Sequence, residues 1–295
     1  MAAVAVLLLL WLFGGSGKLR NVCYERQRID FLFYRGLEVK EAHDVDVLFL
    51  GSSHAYRTFD PRTYTARGLR VFNLGFSNQT PVQTELLLQC FLDTLRPRLV
   101  VFEVHPDIMA HDGIEATLGM LGNFPPTWPM MKMALATRNA RVICTALYGI
   151  PRNMVRSAQT KEWPPAEFVG NRYVPGGYVE CDVQHYSPQP HDSATIVPLP
   201  SQLEALERCL SLLRQRGIPC LLLEVPDTKV LMDSYTNLDE FQRLMSQYGE
   251  FHFKAMDCLD DSLHFYNDNH LNQLGVDLYG PWVCDSLIVP ILNRL

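Results

Sequence analysis

Asp46-Val-Leu-Phe-Leu-Gly-Ser-Ser-His-Ala-Tyr-Arg-Thr-Phe-Asp-Pro61 is the segment from which the architecture of this 295-residue chain can be worked out. Residues 47–50 form an apolar run of strand length, and the run stops at Gly51, Ser52 and Ser53 instead of at an ordinary polar turn. Such a run is typical of a buried parallel strand, and the small residues after it let the chain turn sharply at the carboxyl edge of a sheet. Open α/β sheets bind their ligands at that edge, so Ser53 is a candidate nucleophile; alternatively, Ser52 or Ser53 only caps the segment that follows.

Strands and helices alternate along the rest of the chain. Five runs have the length and composition of strands: 45–50, 70–75, 99–104, 220–225 and 251–256. Apolar residues at helical spacing lie between them, as in 81–95 and 201–216. This alternation predicts an α/β fold in three layers, with a doubly wound parallel sheet of five strands in the flavodoxin-like order 2-1-3-4-5. In that order, the ends of strands 1, 2 and 3 bring Ser53, Gly75 and His105 together.

One large domain is predicted at residues 45–295. Residues 1–20 are apolar at first and basic at their end, which resembles a membrane anchor or a signal sequence, and we favour an uncleaved anchor. Residues 21–44 are polar with a helical tendency, as expected of a connector. An insertion of helices and irregular chain is expected at about 108–200, where the regular pattern is lost and proline is frequent. Insertions of this kind usually lie at the rim of a functional site.

The composition argues against several classes of function. The 26 basic and 32 acidic residues are interspersed and the formal net charge is −6, so nucleic-acid binding is not predicted. The eight cysteines include no C-x-x-C pair, which argues against a zinc knuckle or a thioredoxin-like redox motif. Several of them lie in apolar runs, where a thiol acts as a small hydrophobic side chain.

A serine nucleophile needs a base, and His270 is the candidate among nine histidines. It lies in a polar segment ahead of the last predicted helix, with Asp268 two residues before it. Because the loops after parallel strands share one edge of the sheet, His270 can reach Ser53 despite the distance in sequence. A carboxylate on the far ring nitrogen fixes the tautomer of such a histidine, and Asp268 is placed for that role. Alternatively, the segment is a solvated turn that caps the last helix through Asn272.

Three segments together resemble blocks I, II and V of the GDSL/SGNH hydrolase superfamily. These are Gly51-Ser-Ser53, Asn73-Leu-Gly75 and Asn267-Asp-Asn-His-Leu-Asn272, and the resemblance covers about residues 45–110 and 200–295. It implies that Ser53 is the nucleophile, that the amides of Ser53 and Gly75 bind the oxyanion, and that His270 is the general base. The Gly-Ser-Ser form and the N-terminal segment look more like the envelope branch, which includes the D-alanine transfer protein of lipoteichoic acid and the alginate O-acetylation proteins.

Two positions depart from the pattern of the superfamily. The usual aspartate three residues before the histidine is Asn267 here, so the orienting role is expected to pass to Asp268 or to a backbone carbonyl. This D-x-H spacing resembles the alginate branch. The asparagine that normally follows strand 3 and donates to the oxyanion is replaced by His105, which can donate through a ring N–H when neutral.

The resemblance implies a membrane-anchored serine esterase or O-acyltransferase. Its expected substrates are acyl esters, such as O-acetyl groups, of a cell-envelope glycan or polymer, and its domain is expected to be extracytoplasmic. No cofactor is expected. The alternative is a catalytically inactive member that binds a glycan or acts as a scaffold for a membrane-bound acyltransferase. The departures at Asn267 and His105 favour this alternative.

Three further side chains are weaker candidates for substrate binding: His54, Arg57 and Asn78. His54 more often packs or forms local hydrogen bonds at such a position, and Arg57 more often forms a surface ion pair. A zinc site would instead collect His54, His105, Asp268 and His270. No H-x-x-E-H or H-E-x-x-H pattern is present, so no metal is expected.

Overall fold

A computed structural model describes residues 2–14, 31–124, 127–137, 139–159, 167–168, 170–182, 185–253 and 258–295. Within these ranges the strands are β1 (Val47–Leu50), β2 (Val71–Asn73), β3 (Leu99–Glu103), β4 (Glu167–Phe168), β5 (Asn171–Val174), β6 (Tyr178–Cys181), β7 (Cys220–Glu224), β8 (Glu250–Phe253), β9 (Phe265–Asn267) and β10 (His270–Leu271).

The first helices are α1 (Ala2–Gly14), α2 (Leu32–Glu38), α3 (Ser53–Thr58), α4 (Pro61–Thr65), α5 (Pro81–Leu95), α6 (Pro106–Ala110) and α7 (Ile114–Asn123). They are followed by α8 (Trp128–Ala136), α9 (Ala140–Gln159), α10 (Pro200–Gln215), α11 (Lys229–Ser234), α12 (Leu238–Ser246), α13 (Gln273–Val283) and α14 (Val289–Leu292). A π-helical turn at Cys284–Ile288 joins α13 to α14.

The central sheet has five parallel strands in the order β2-β1-β3-β7-β8. When only these five strands are counted in chain order, their order in the sheet is 2-1-3-4-5, as predicted. The predicted fold class is therefore confirmed. All four residues of β1 are buried, because helices cover both faces of the sheet. Leu48 and Leu50 pack with α5 and α10 on one face, whereas Val47 and Phe49 pack with α13 on the other. The alternation follows from the two-residue period of a strand.

The insertion is more regular than the sequence indicated. Its first part contains α7, α8 and α9, as expected, but the irregular chain predicted after residue 163 includes a three-stranded antiparallel sheet, β4-β5-β6. Pro175, Gly176 and Gly177 form the turn between β5 and β6, and the two glycines have φ of 96° and 92°. A Pro-Gly-Gly sequence between two runs rich in valine and tyrosine is a hairpin signal, so this sheet could have been predicted. Residues 160–166 lie outside the described ranges.

The hairpin turn is bonded to the edge strand β2. The amide of Asn73 donates to the carbonyl oxygen of Gly176, 2.8 Å away. Gly177 lies against the same residue so closely that a Cβ added there would overlap the main-chain oxygen of Asn73. The second sheet is therefore held at the edge of the first by a contact that has no room for a side chain.

Replacing Gly177 with alanine is expected to lower the free energy of unfolding by about 3 kcal/mol, because overlap adds to the strain of a positive φ. Gly68→Ala is the matched control, since Gly68 has φ of 78° and nothing within 4 Å of an added Cβ. Only the cost of the backbone conformation, about 1 kcal/mol, is expected there. Urea denaturation of both variants measures the difference. Equal losses would show that the packing of Gly177 against Asn73 is not tight.

The N-terminal segment is described only in part. Helix α1 has 13 residues, and the ring of Trp11 lies against that of Tyr148 in α9, with centroids 5.3 Å apart. Among the described residues, no helix is both long and apolar enough to cross a bilayer. The remainder of the predicted anchor and part of the predicted connector, residues 15–30, lie outside the described residues. Helix α2, at the end of the predicted connector, buries Leu32 and Phe33 against the domain.

Candidate active site

Ser53 and His270 lie together, as the sequence predicted. Ser53 is the first residue of α3, and its Oγ is 2.7 Å from Nε2 of His270 in β10. Gly51 permits this turn, because its φ is 137° and an added Cβ would lie 2.7 Å from the Cβ of Glu103. The hydroxyl is therefore held by a short rigid connection between β1 and α3, and the imidazole by the two-stranded sheet β9-β10.

Asn267, not Asp268, contacts the far nitrogen of His270. Asn267 and His270 are cross-strand partners in β9 and β10, and Oδ1 of Asn267 is 2.9 Å from Nδ1 of His270. Asp268 lies in the turn, where it accepts a hydrogen bond from Tyr186 and pairs with Nε2 of His191 at 3.1 Å. The prediction that Asp268 orients His270 is therefore wrong. The reason is that residues 265–271 form an antiparallel pair and not a loop, and opposite residues of such a pair share one face.

The bonding around His270 determines its tautomer. Since Oδ1 of Asn267 can only accept, Nδ1 carries the proton, and Nε2 is free to accept from the Ser53 hydroxyl. Burial, followed by the charges of His54, Arg57 and His105, holds the pKa of His270 well below its usual value. The ring is consequently neutral at pH 7, which is the state that a general base requires.

Only one of the three predicted oxyanion donors is open. The amide of Ser53 is the first N–H of α3 and has no acceptor among the described residues. The amide of Gly75 instead donates to Oδ1 of Asn73, 3.0 Å away, so its predicted role needs correction for this conformation. His105 is also corrected, because its Nε2 is bonded to Asp227 at 2.8 Å. The oxyanion hole is thus incomplete as it stands.

A buried cluster of two histidines and one aspartate lies beside the Ser53–His270 pair. The rings of His54 and His105 are stacked, with centroids 3.9 Å apart and an interplanar angle of 12°. Asp227 has one carboxylate oxygen 2.8 Å from Nε2 of His105 and the other 3.4 Å from Nε2 of His54. The other face of His54 carries His270, with centroids 4.9 Å apart. The cluster therefore packs against the ring of His270, the candidate base.

Ser52 and Asp227 hold the ring of His54 from its two nitrogens. The amide and the hydroxyl of Ser52 both donate to Oε2 of Glu103, at 2.7 and 2.9 Å. Nδ1 of His54 lies 2.9 Å from the same hydroxyl oxygen, and Nε2 faces a carboxylate oxygen of Asp227 at 3.4 Å. Ser52 is therefore a buried structural residue, not a second nucleophile.

His105 shares the same carboxylate. Burial disfavours the charged ring, but Asp227 outweighs burial and raises the pKa of His105 to about 9. A charged ring must give up the long contact between Nδ1 and the amide of Asp107, 3.3 Å apart. The titrations of His105 and Asp227 are therefore coupled, and the nearby carboxylate of Glu103 also raises the pKa of His105.

The cluster is also the place where ligand-type side chains meet. Donor atoms of His54, His105 and Asp227 lie within 4.8 Å of one another. However, the lone pairs of imidazole nitrogens lie in the ring plane, so two nearly parallel rings direct them side by side and not toward one point. The geometry fits shared protons better than a tetrahedral zinc ion. Asp268, which the sequence analysis included in a possible zinc site, is instead bonded to His191 and Tyr186.

Sequence reasoning missed Asp227. It lies in Val225-Pro226-Asp227, directly after β7, and therefore at the same edge of the sheet as Ser53 and His105. The rule that singled out the residues after strands 1, 2 and 3 would have found it if applied to strand 4. Asp227 also lines a cavity of about 820 Å³ between α11 and α12, to which neither Ser53 nor His270 contributes.

The weaker candidates have different outcomes. His54 does form local contacts, as its alternative reading stated, but they build the cluster. Arg57 is buried and has no carboxylate partner among the described residues, which contradicts the alternative of a surface ion pair. Asn78 has a left-handed backbone, with φ of 56°, in the loop after β2. Its contact with a substrate stays a prediction.

Comparison with known proteins gives structural likenesses only. Neither the family models nor the curated proteins include a match to this chain. Among solved structures, a candidate acylhydrolase from Bacteroides fragilis is similar, with 12% identity and a TM-score of 0.41. The likeness covers 88% of this chain and 94% of that one. At this level of similarity, the functional argument depends on the geometry of the site.

Proposed function

We propose that the protein is a serine-dependent esterase or O-acyltransferase of the SGNH type. The observation that carries this proposal is the 2.7 Å contact between Oγ of Ser53 and Nε2 of His270. It joins a hydroxyl at the end of a buried strand to a neutral imidazole whose other nitrogen is held by Asn267. Activation of a serine requires a base in contact with the hydroxyl and an orienting group in contact with the base. Ser53, His270 and Asn267 provide these two contacts.

The proposed reaction proceeds through an acyl-enzyme. Oγ of Ser53 attacks the ester carbonyl carbon while its proton passes to Nε2 of His270. The bond to the leaving alcohol then breaks, and His270 returns the proton to the alcohol oxygen. Water or a sugar hydroxyl attacks the acyl-enzyme next and gives its proton to Nε2 of His270. The bond between the acyl group and Oγ of Ser53 then breaks, and His270 passes that proton to Oγ.

Two features make the proposed enzyme slow in the conformation described. Asn267 is neutral, so it stabilises the imidazolium of the transition state less than a carboxylate would. The amide of Ser53 is the only open donor of the predicted set, and a missing oxyanion donor costs about 3 to 4 kcal/mol elsewhere. Rotation of the Asn73 side chain away from Gly75 would release a second amide. The same features support the second candidate, an inactive SGNH-type protein that binds a glycan or partners an acyltransferase.

The proposal also covers the substrate of the protein and its location in the cell. We propose acyl esters of a cell-envelope glycan as substrates, with α1 and the residues after it holding the domain at a membrane. The resemblance of Gly51-Ser52-Ser53 to the envelope branch supports the substrate. The exposed apolar side chains of α1 support the location at a membrane. Val4, Leu7 and Leu8 are 58%, 53% and 55% exposed.

Labelling with a fluorophosphonate probe tests the activation of Ser53 without knowledge of the natural substrate. We expect one adduct per chain, mapped by mass spectrometry to the peptide containing Ser53 and absent from Ser53→Ala. Ser77→Ala is the control, because Ser77 is a nearby hydroxyl that is bonded to Tyr56 and not to a base. Absence of an adduct, or an adduct that persists in Ser53→Ala, would favour the inactive candidate.

A further inference from the structure

Arg57 is a buried cation that no carboxylate of the described residues balances. The residue is 7% exposed, and its NH1 group donates to Oδ1 of Asn171, 3.0 Å away, and to the thiol of Cys181. Within the part of the chain that the structure describes, no carboxylate oxygen lies within 4.0 Å of this guanidinium group, whereas the nearby Arg62 has two carboxylate partners. Because arginine stays charged at any physiological pH, a buried guanidinium group with neutral partners favours the binding of an anion.

Arg57 lies on the same side of α3 as the candidate nucleophile. It follows Ser53 by four residues, and residues at this spacing share one face of a helix. Its guanidinium carbon is 5.7 Å from the ring centre of Tyr266, which directly precedes Asn267. The positive charge of Arg57 also contributes to the low pKa of His270. The cation is therefore close to the atoms proposed to react.

A second buried arginine makes the region more positive. Arg35 is fully buried, and both of its terminal nitrogens lack a hydrogen-bond partner. Its guanidinium carbon is 4.9 Å from the ring centre of Tyr56, and that of Arg57 is 5.4 Å from the same centre. Glu38, the carboxylate closest to Arg35 in sequence, is instead bonded to Tyr173 and to the amide of Gly176. Among the described residues, neither arginine has a carboxylate within 4.0 Å, although burial raises the pKa of Glu38 and the nearby charge of Arg35 opposes that rise.

We infer that Arg57 binds an oxyanion, a carboxylate or a phosphate, carried by the substrate a few bonds from the ester that Ser53 attacks. This inference rests on the proposed function for the position of the ester, but not for the binding of the anion. NH1 already donates to Asn171 and Cys181, which leaves the edge formed by Nε and NH2 without a carboxylate. That edge is the one that binds an oxyanion through two parallel hydrogen bonds.

The inference narrows the class of substrate. It favours an ester whose acyl or alcohol part bears a negative charge, over a neutral acetyl ester. Two p-nitrophenyl esters of succinic acid distinguish these cases. In the first the second carboxyl group is free, and in the second it is a methyl ester, so that the two substrates have the same reacting group and differ in charge.

The first experiment measures the ratio of kcat/KM for the charged and the neutral ester, after subtraction of spontaneous hydrolysis. We expect a ratio of at least about 10 for the unmodified protein and a fall of at least about tenfold in Arg57→Gln. Arg57→Lys is expected to recover only part of the ratio, because lysine keeps the charge but not the two parallel bonds. Any change in the pKa of His270 affects both esters alike and cancels in the ratio.

Arg172→Gln is the matched control. Arg172 is adjacent to Asn171 in sequence and its removal changes the net charge equally, but its side chain is 57% exposed and paired with Glu180. The ratio is expected to be the same as in the unmodified protein. A ratio near 1 in the unmodified protein, or the same ratio in Arg57→Gln, would overturn the inference while ester hydrolysis itself stands.

The second experiment measures anion binding without catalysis. Succinate and inorganic phosphate, each at about 10 mM, are added separately, and the shift of Tm is compared between the unmodified protein and Arg57→Gln. We expect a larger shift in the unmodified protein, and the more effective ion identifies the group as carboxylate or phosphate. No shift with either ion would overturn the inference, even if Arg57→Gln does not fold. A shift in a protein that hydrolyses no ester would leave anion binding intact and remove the esterase.

Discussion

Ser53→Ala is expected to lower kcat for a short-chain p-nitrophenyl ester by about 10³-fold or more. The variant loses the only hydroxyl that the structure bonds to Nε2 of His270, so no acyl-enzyme can form. What remains is the catalysis that binding and the Ser53 amide provide, since the main-chain N–H is kept. Initial rates of the full chain with and without the substitution measure the loss.

The fold of Ser53→Ala is expected to be retained, which keeps the kinetic result interpretable. Ser53 is half-buried, and its side chain makes one hydrogen bond, worth about 1 kcal/mol. Ser77→Ala serves as the kinetic control, because it removes a hydroxyl of the neighbouring loop that is bonded to Tyr56. If both variants hydrolyse the ester as fast as the unmodified protein, a Ser53-dependent esterase is excluded and the proposal of a catalytically inactive protein is favoured.

The positions that could be predicted from the sequence are those set by strand ends. The apolar run at 47–50 and the glycine after it place Ser53 at the carboxyl edge of the sheet, and the alternation of elements places the strands in their order. This is possible because burial of both faces leaves a strand with a continuous apolar pattern, which is visible without coordinates. The meeting of Ser53 and His270 follows from the same edge rule.

The positions that could not be predicted depend on short-range geometry. Whether Asn267 or Asp268 contacts His270 depends on a β-bridge of two short strands, and a change of one residue in register moves a side chain to the other face. The hydrogen bond from Gly75 to Asn73 likewise arises from a local turn, and a family motif does not reveal that the amide is already used. The buried pairing of His54 with Asp227 could not be predicted from local sequence either, because the two residues are 173 positions apart in the chain.

Asp227→Asn is expected to lower the free energy of unfolding by about 3 to 5 kcal/mol at neutral pH. The substitution removes the negative charge that both His54 and His105 face, and leaves the buried, charged ring of His105 without its counter-charge. Asp233→Asn is the control, since it removes a carboxylate from α11 whose side chain is 64% exposed and paired with Lys229. A change within about 0.5 kcal/mol is expected there. Urea denaturation of the two variants at one pH gives the comparison.

The pH dependence of this loss distinguishes a charge cluster from ordinary packing. Burial raises the pKa of Asp227, but His105 and His54 lower it further, so the stability it contributes is present above its ordinary pKa of 3.8 and is lost as the pH falls through the lower value. The pKa of His105 is raised from 6.5 to about 9, so its contribution is complete below 6.5 and is lost as the pH rises through 9. The destabilisation by Asp227→Asn should therefore be larger at about pH 6 than at about pH 9.5. The same loss at both values would mean that Asp227 acts through its shape and hydrogen bonds alone, and its pairing with a charged His105 would then have no support.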